Sequence, residues 1–125
     1  MLNDKAALAT LPVKDIEVAR KFYEKTVGLT PVETEESGVV GFKSGESTVL
    51  VYESAYAGTN QATAATWVVG DELDDVVRTL KSKGVKFEHY DLPDTSRRGD
   101  VHESGDTRVA WFKDPDGNIL SLVNG

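Results

Sequence analysis

The chain has few side chains with reactive chemistry. His89 and His102 are its only imidazoles, and Glu53, Asp91 and Glu103 are carboxylates that could join them. Imidazole with carboxylate suits general acid–base work or a divalent metal. Their spacing matches no compact zinc pattern, so surface histidines are the expected reading and a metal site is not. Cysteine is absent, which removes thiolate nucleophiles, disulfides and Cys-based metal centres. Ser121 interrupts the otherwise apolar closing run "ILSLV". It is a working hydroxyl, a solvent-facing strand position, or a place where a more reactive residue has been lost. "SGES" and "ESGD" read as turns rather than nucleophile elbows, and no Gly-rich phosphate loop follows a strand.

The elements that must position these residues occur twice. "DIEVARKFYEKTVGL" carries a helical stripe of Ile16, Ala19, Tyr23 and Val27, with Asp15 to cap its start and Gly28 to stop it. "DELDDVVRTLKSKGV" repeats the pattern with Leu73, Val76, Val77 and Leu80, then Gly84. The shift that puts Ile16 on Leu73 also puts Ala19 on Val76 and Tyr23 on Leu80. Each helix follows a short strand, "LATLPV" or "AATWVV". The hairpins repeat as well: "FKSGESTVLVY" aligns with "FKDPDGNILSL", Phe42 on Phe112 and Val49-Leu50 on Ile119-Leu120. The second copy carries about thirteen more residues between helix and hairpin, in the polar stretch "DLPDTSRRGDVHESGDT", which reads as a long loop. "YAGTN" reads as the connector.

These patterns predict an α+β fold of two tandem βαβββ modules, one about 6–56 and the other about 62–125, within a single domain over 1–125. The expected form is a cupped mixed sheet with helices on its outer face and a shared concave pocket on the bare one. The length of 125 residues, 39% hydrophobic and 28% charged, fits one globular domain. The net charge of −7 repels phosphate backbones, so no nucleic-acid partner is expected. The basic pair in "SRRGD", Arg97 and Arg98, reads as a solvated loop or as a lid that meets an acidic ligand. No apolar run is long enough for a signal peptide or a membrane span, so a cytoplasmic location is expected.

Three stretches in order, "TLPVKDIEVARKFYEKTVGL", "WVVGDELDDVVRTLKSKGVKF" and "AWFKDPDGNILSLV", resemble the vicinal oxygen chelate superfamily. Its members include glyoxalase I, extradiol dioxygenases, fosfomycin-resistance enzymes and bleomycin-resistance proteins. The resemblance covers nearly the whole chain. It implies four metal-ligand positions, two on the opening strands and two on the closing strands of the modules. Carried over, they fall on Leu8, on Ala64 or Ala65, on Val51 and on Ser121. The internal repeat also places Val51 on Ser121. Leu, Val and Ala have no donor and a neutral Ser is a poor one, so Ser121 is expected to occupy a vacated ligand position.

Strand alternation then assigns faces. With Val51 turned to the cavity, Val49 and Glu53 follow it, while Leu50 and Tyr52 pack on the helix. Leu8 brings Thr10. Ile119, Ser121 and Val123 face the cavity, with Leu120 and Leu122 in the core. Phe112 as core turns Trp111 and Val109 to the pocket. Trp67 joins them only if Ala65 is the ligand position, and Tyr90 and Phe42 are further aromatic candidates. The expected ligand-contact set is Leu8, Thr10, Val51, Glu53, Trp67, Tyr90, His102, Trp111 and Ser121, with no metal and no cofactor.

Such a pocket suits a hydrophobic, flat or aromatic molecule. The resemblance to the bleomycin-resistance branch implies metal-free sequestration of an antibiotic or similar compound, by a homodimer with pockets at its interface. The chain's acidity would help it hold a cationic drug. The alternative is a metal-independent isomerase, lyase or cyclase with Glu53 or His102 as its acid–base group. A metal-dependent glyoxalase-type lyase or dioxygenase ranks last.

Overall fold

The computed structural model describes residues 1–32 and 38–125. Two compact units divide it, 1–58 and 59–125, and among the described residues each contains one sheet and one α-helix.

The first unit runs β1 (Ala9–Val13), α1 (Ile16–Lys21), β2 (Thr30–Val32), β3 (Val39–Ser44) and β4 (Ser47–Glu53). Asp15 starts α1 as expected, its Oδ1 accepting the backbone N–H groups of Glu17 at 2.9 Å and Val18 at 3.3 Å. The helix widens into a π-helical turn over Phe22–Thr26, where the Val27 N–H reaches the Phe22 carbonyl, and it stops at Gly28 with φ +88°. The sheet order is β1-β4-β3-β2, with β1 and β4 parallel.

Register decides which face of this sheet is core. Leu11 pairs with Val51 and Val51 with Val40, while Phe42 pairs with Val49, and all five are buried. Tyr23 beyond α1 packs against Phe42 with ring centroids 5.8 Å apart. The side carrying Val49, Val51 and Phe42 is therefore the helix side. Leu50, paired with Thr10, and Tyr52, paired with Pro12, lie on the other. This reverses the expected alternation of β4.

The second unit runs β5 (Thr63–Val68), a short 3-10 turn (Gly70–Glu72), α2 (Leu73–Ser82), β6 (Phe87–Glu88), β7 (Ser96–Arg98), β8 (Val101–Ser104), β9 (Thr107–Lys113) and β10 (Ile119–Val123). The order is β5-β10-β9-β8-β7, with β6 also on β9. Here too the opening strand is parallel to the closing one. α2 buries Leu73, Val77 and Leu80, three of its four expected stripe residues. Arg108, on the same side of β9 as Ala110 and Phe112, reaches Asp74 in the first turn of α2, so the helix covers the face of Phe112, Leu120 and Leu122.

The long polar stretch is not all loop. Glu88 and His102 follow one another along the edge of β9, opposite Trp111 and Val109. Residues 89–101 leave that line and return as the hairpin β7–β8. Its turn is Gly99-Asp100, with Gly99 at φ +62°. Asp100 ties the turn down, accepting from Lys81 at 2.7 Å and bonding His89 at 2.8 Å. Those partners, Lys81 first and then His89, hold its carboxyl below the ordinary 3.8.

Candidate functional site

The closing hairpin of the second unit is held by its turn. Asp114 Oδ1 accepts the N–H groups of Asp116 and Asn118, at 3.0 and 2.8 Å, and its Oδ2 accepts the Asn118 side-chain amide at 2.7 Å. Both Asp114 and Asn118 are buried. The arrangement locks β9 against β10 and sets Trp111 opposite Ser121 and Phe112 opposite Leu120.

On β10 Ser121 also pairs with Thr66 of β5, and the two hydroxyls are 2.7 Å apart. A bulge between Ile119 and Leu120 shifts the β5 register, so Ala65 and Trp67 pair with Leu120 and Leu122. Trp67 thus lies on the helix side, and Thr66 is the neighbour of Ser121. Trp111 stays on the Ser121 side, with its indole N–H donated to Thr63 Oγ1 at 3.2 Å.

Beside Trp111 stand two further rings. Tyr90 meets it edge to face at 5.2 Å and 78°, and His102 at 4.8 Å and 79°. His102 is 3% exposed, and its Nε2 accepts the Tyr90 backbone N–H at 3.0 Å. An accepting Nε2 carries no hydrogen, so the ring's proton sits on Nδ1. That Nδ1 and the Tyr90 hydroxyl are both buried with no hydrogen-bond partner among the described residues. Burial, and then the Glu88 charge, push the Tyr90 hydroxyl above its ordinary 10.0, so it remains an O–H donor at neutral pH.

Next to these rings is a cavity of about 260 Å³, lined by Tyr90, Asp91, Leu92, Thr95, Ser96, Arg97 and His102. Arg97 lies directly across from His102 in the β7–β8 pair and so shares its face. Its one described bond, from Nη1 to the Gly99 carbonyl at 2.7 Å, leaves its other N–H groups uncommitted. Arg108, by contrast, is consumed by Asp74 and Glu103.

Of the nine residues expected to contact a ligand, the second unit brings Tyr90, His102, Trp111 and Ser121 together on one face. Trp67 is turned the other way. In the first unit Val51 is core, which corrects its cavity assignment: its pairing with Leu11 and Val40 points it to α1. Phe42 is core for the same reason. Leu8, 44% exposed, precedes β1, and Thr10 is exposed with its hydroxyl donating to the Leu8 carbonyl at 3.3 Å. Glu53 ends β4 in solvent. Thr66 and Thr63 were not anticipated, although Thr66 is the one polar side chain interior to "AATWVV". Arg97 was read only as loop or lid.

The four positions implied for a metal do not supply a ligand set. Leu8 and Ala64 or Ala65 are alkyl, Val51 points into the core, and Ser121 spends its hydroxyl on Thr66. Among the described residues no three His, Asp or Glu side chains converge to hold a metal ion.

The architecture is that of small proteins built from paired βαβββ modules. Residues 5–122 match the family model of the Glyoxalase/Bleomycin resistance protein/Dioxygenase superfamily, and the chain belongs to that superfamily. Solved structures agree on the fold. An integron cassette protein from the mobile metagenome of the Halifax Harbour sewage outfall aligns with TM-score 0.71 at 18% identity, over 96% of this chain and 97% of that one. The fosfomycin resistance protein FosX of Listeria monocytogenes, complexed with Mn(II) and sulfate, aligns with TM-score 0.73 at 18% identity, over 100% and 92%. Lactoylglutathione lyase from Agrobacterium tumefaciens gives 0.71 at 17%, over 98% and 93%. A sequence search of curated proteins finds no match.

Proposed function

We propose that this chain is a binding protein that holds a planar or aromatic organic molecule against Trp111 without a divalent metal. The observation that carries the reading is the ring cluster of Tyr90, His102 and Trp111, whose buried Tyr90 hydroxyl and His102 Nδ1 lack partners among the described residues. Leaving two buried polar atoms unsatisfied costs about 1–3 kcal/mol each, a cost that a ligand with acceptor atoms would relieve once the two side chains turn to meet it. Trp111 offers a ring face or edge worth about 1 kcal/mol beyond area burial. Sequestration of an antibiotic-like compound by a cytoplasmic homodimer fits a superfamily that includes bleomycin resistance proteins and a neighbour named for fosfomycin resistance.

Native mass spectrometry of protein gently purified from its own host tests this. The reading requires a dimer carrying a stoichiometric organic mass that is lost in Trp111→Ala. A divalent metal held tightly by each chain would sink it.

A second reading has its own support. His102 is buried, with its proton placed on Nδ1 by the Tyr90 N–H, which is how an acid–base imidazole is oriented for a metal-independent isomerase, lyase or cyclase. Glu53, at an exposed strand end, is the weaker candidate. Turnover of the recovered compound, abolished by His102→Gln with binding retained, would favour catalysis over sequestration.

A further inference from the structure

The wall of the second unit's cavity is rich in donors. His102 and Tyr90 line it, and their Nδ1–H and O–H lie buried behind that lining without partners among the described residues. Arg97 contributes a charged fork opposite His102, with one N–H group committed to Gly99. Ser96 contributes a hydroxyl, and Thr95 another that already donates to the Pro93 carbonyl. Against these stands a single anion, Asp91. Arg98, the other basic residue of "SRRGD", points away in strand alternation and pairs with Glu103 at 3.6 Å.

A donor-rich wall with one uncommitted cation wants an acceptor group carrying one negative charge. A guanidinium fork matches a carboxylate, and charge-assisted bonds of this kind are the strong ones. A phosphate dianion would need more positive charge than Arg97 supplies, in a cavity that already holds Asp91 and in a chain of net charge −7. A cationic ligand would face the Arg97 guanidinium. The volume of about 260 Å³ admits the head of a small molecule rather than a large drug.

We infer that this cavity receives the carboxylate of an aromatic acid, with Arg97 as its charged donor and the Ser96 hydroxyl beside it, while the ligand's ring lies past His102 and Tyr90 toward Trp111. The inference rests on the binding reading above and gives that site its ligand class. It also gives the hairpin β7–β8 a purpose, since residues 89–101 bring Arg97 to the side of His102 and build the cavity wall.

Benzoate and benzamide, equal in shape and different in charge, separate the two claims. Titrations of the full chain are followed by ¹H–¹⁵N NMR at the Arg97 Nε, the His102 ring and the Trp111 indole. Benzoate is expected to shift all three saturably and to bind about tenfold or more tighter than benzamide, the scale of one charge-assisted hydrogen bond. Arg97→Gln, at an exposed hairpin position, should keep the folded spectrum and erase that preference. Asp91→Asn should tighten benzoate. Equal affinity for the two probes, or a preference that survives Arg97→Gln, overturns the carboxylate assignment. Shifts at Trp111 without shifts at Arg97 and His102 also overturn it, and leave the aromatic-face reading standing. If neither probe moves any of the three, both claims fail.

Discussion

The turn that closes the second hairpin should carry much of the stability of its unit, because Asp114 and Asn118 are buried in it. In Asp114→Ala three accepted hydrogen bonds disappear, from Asp116 N, Asn118 N and Asn118 Nδ2. Hydrogen bonds to a charged group contribute about 1.5–3 kcal/mol each in net terms, and unsatisfied buried donors cost on the same scale. Since the three share one acceptor they do not add fully, so a loss of about 3–4 kcal/mol is expected. With a urea slope of about 2 kcal/mol/M, the middle of the range for a small domain, the unfolding midpoint should fall by about 1.5–2 M. Asp114→Asn keeps the shape and part of the bonding, and should lose about half as much. Equilibrium urea denaturation by circular dichroism reads all three proteins. A loss below about 1 kcal/mol for Asp114→Ala, within the range of ordinary surface changes, would mean that β9 and β10 hold their register without the turn.

Further outcomes follow from the same geometry. Val51→Ala should cost about 2–3 kcal/mol in urea denaturation, because it removes two buried methyl groups on the helix side. Tyr52→Ala on the opposite face should cost about 1 kcal/mol or less, and the reverse order would restore the alternation first expected. Ser121→Ala should lose about 1 kcal/mol or less in the same assay, because the exposed Thr66 hydroxyl can bond to water in place of Ser121, and a loss above about 2 kcal/mol would contradict this. Acid titration of thermal stability should register Asp100, beside Asp74, whose carboxyl the Arg108 hydrogen bond also lowers. The folded pKa of Asp100 lies below its ordinary 3.8 because Lys81, then His89, bond the charged form. Its contribution is therefore present at pH above 3.8 and is lost as pH falls through the lower folded value. Asp100→Asn should thus be less stable than the parent above that window and converge with it at lower pH. A constant difference across the window would contradict this.

Much of the fold was legible because two periodicities repeat in order. The stripes of Ala19 and Tyr23, and of Leu73, Val77 and Leu80, are the buried helix faces, and the Phe42 and Phe112 hairpins form where the pattern puts them. The face of β4 was not legible. "TVLVY" is apolar at both parities, so period-two reasoning has no sign to read, and a carried-over ligand position supplied the wrong one. The parallel pairing of Leu11 with Val51 settles it, and that is a tertiary fact. Trp67 was undecidable for a related reason, since the bulge at Ile119/Leu120 moves it by one residue and a one-residue slip changes faces. The hairpin β7–β8 had a signal that a loop reading passed over: Gly99-Asp100 flanked by "TSRR" and "VHES" is a two-residue hairpin turn.

The superfamily resemblance directed attention to Ser121, and the register connects that residue to Trp111 and through it to Tyr90 and His102. Arg97 could be reached only from the pairing of β7 with β8. A resemblance marks ligand positions strand by strand, whereas this cavity is built by residues 89–101, the segment in which the second unit departs from the first.

Because the chain has two tryptophans, and the structure puts them on opposite faces of one sheet, the central claim can be tested on two signals. The compound recovered from the host protein, added back to ligand-free ¹⁵N-labelled chain, should move the Trp111 indole N–H resonance and leave that of Trp67 in place. Movement of Trp67 alone would contradict the account, since the ligand would then sit on the helix side of the sheet.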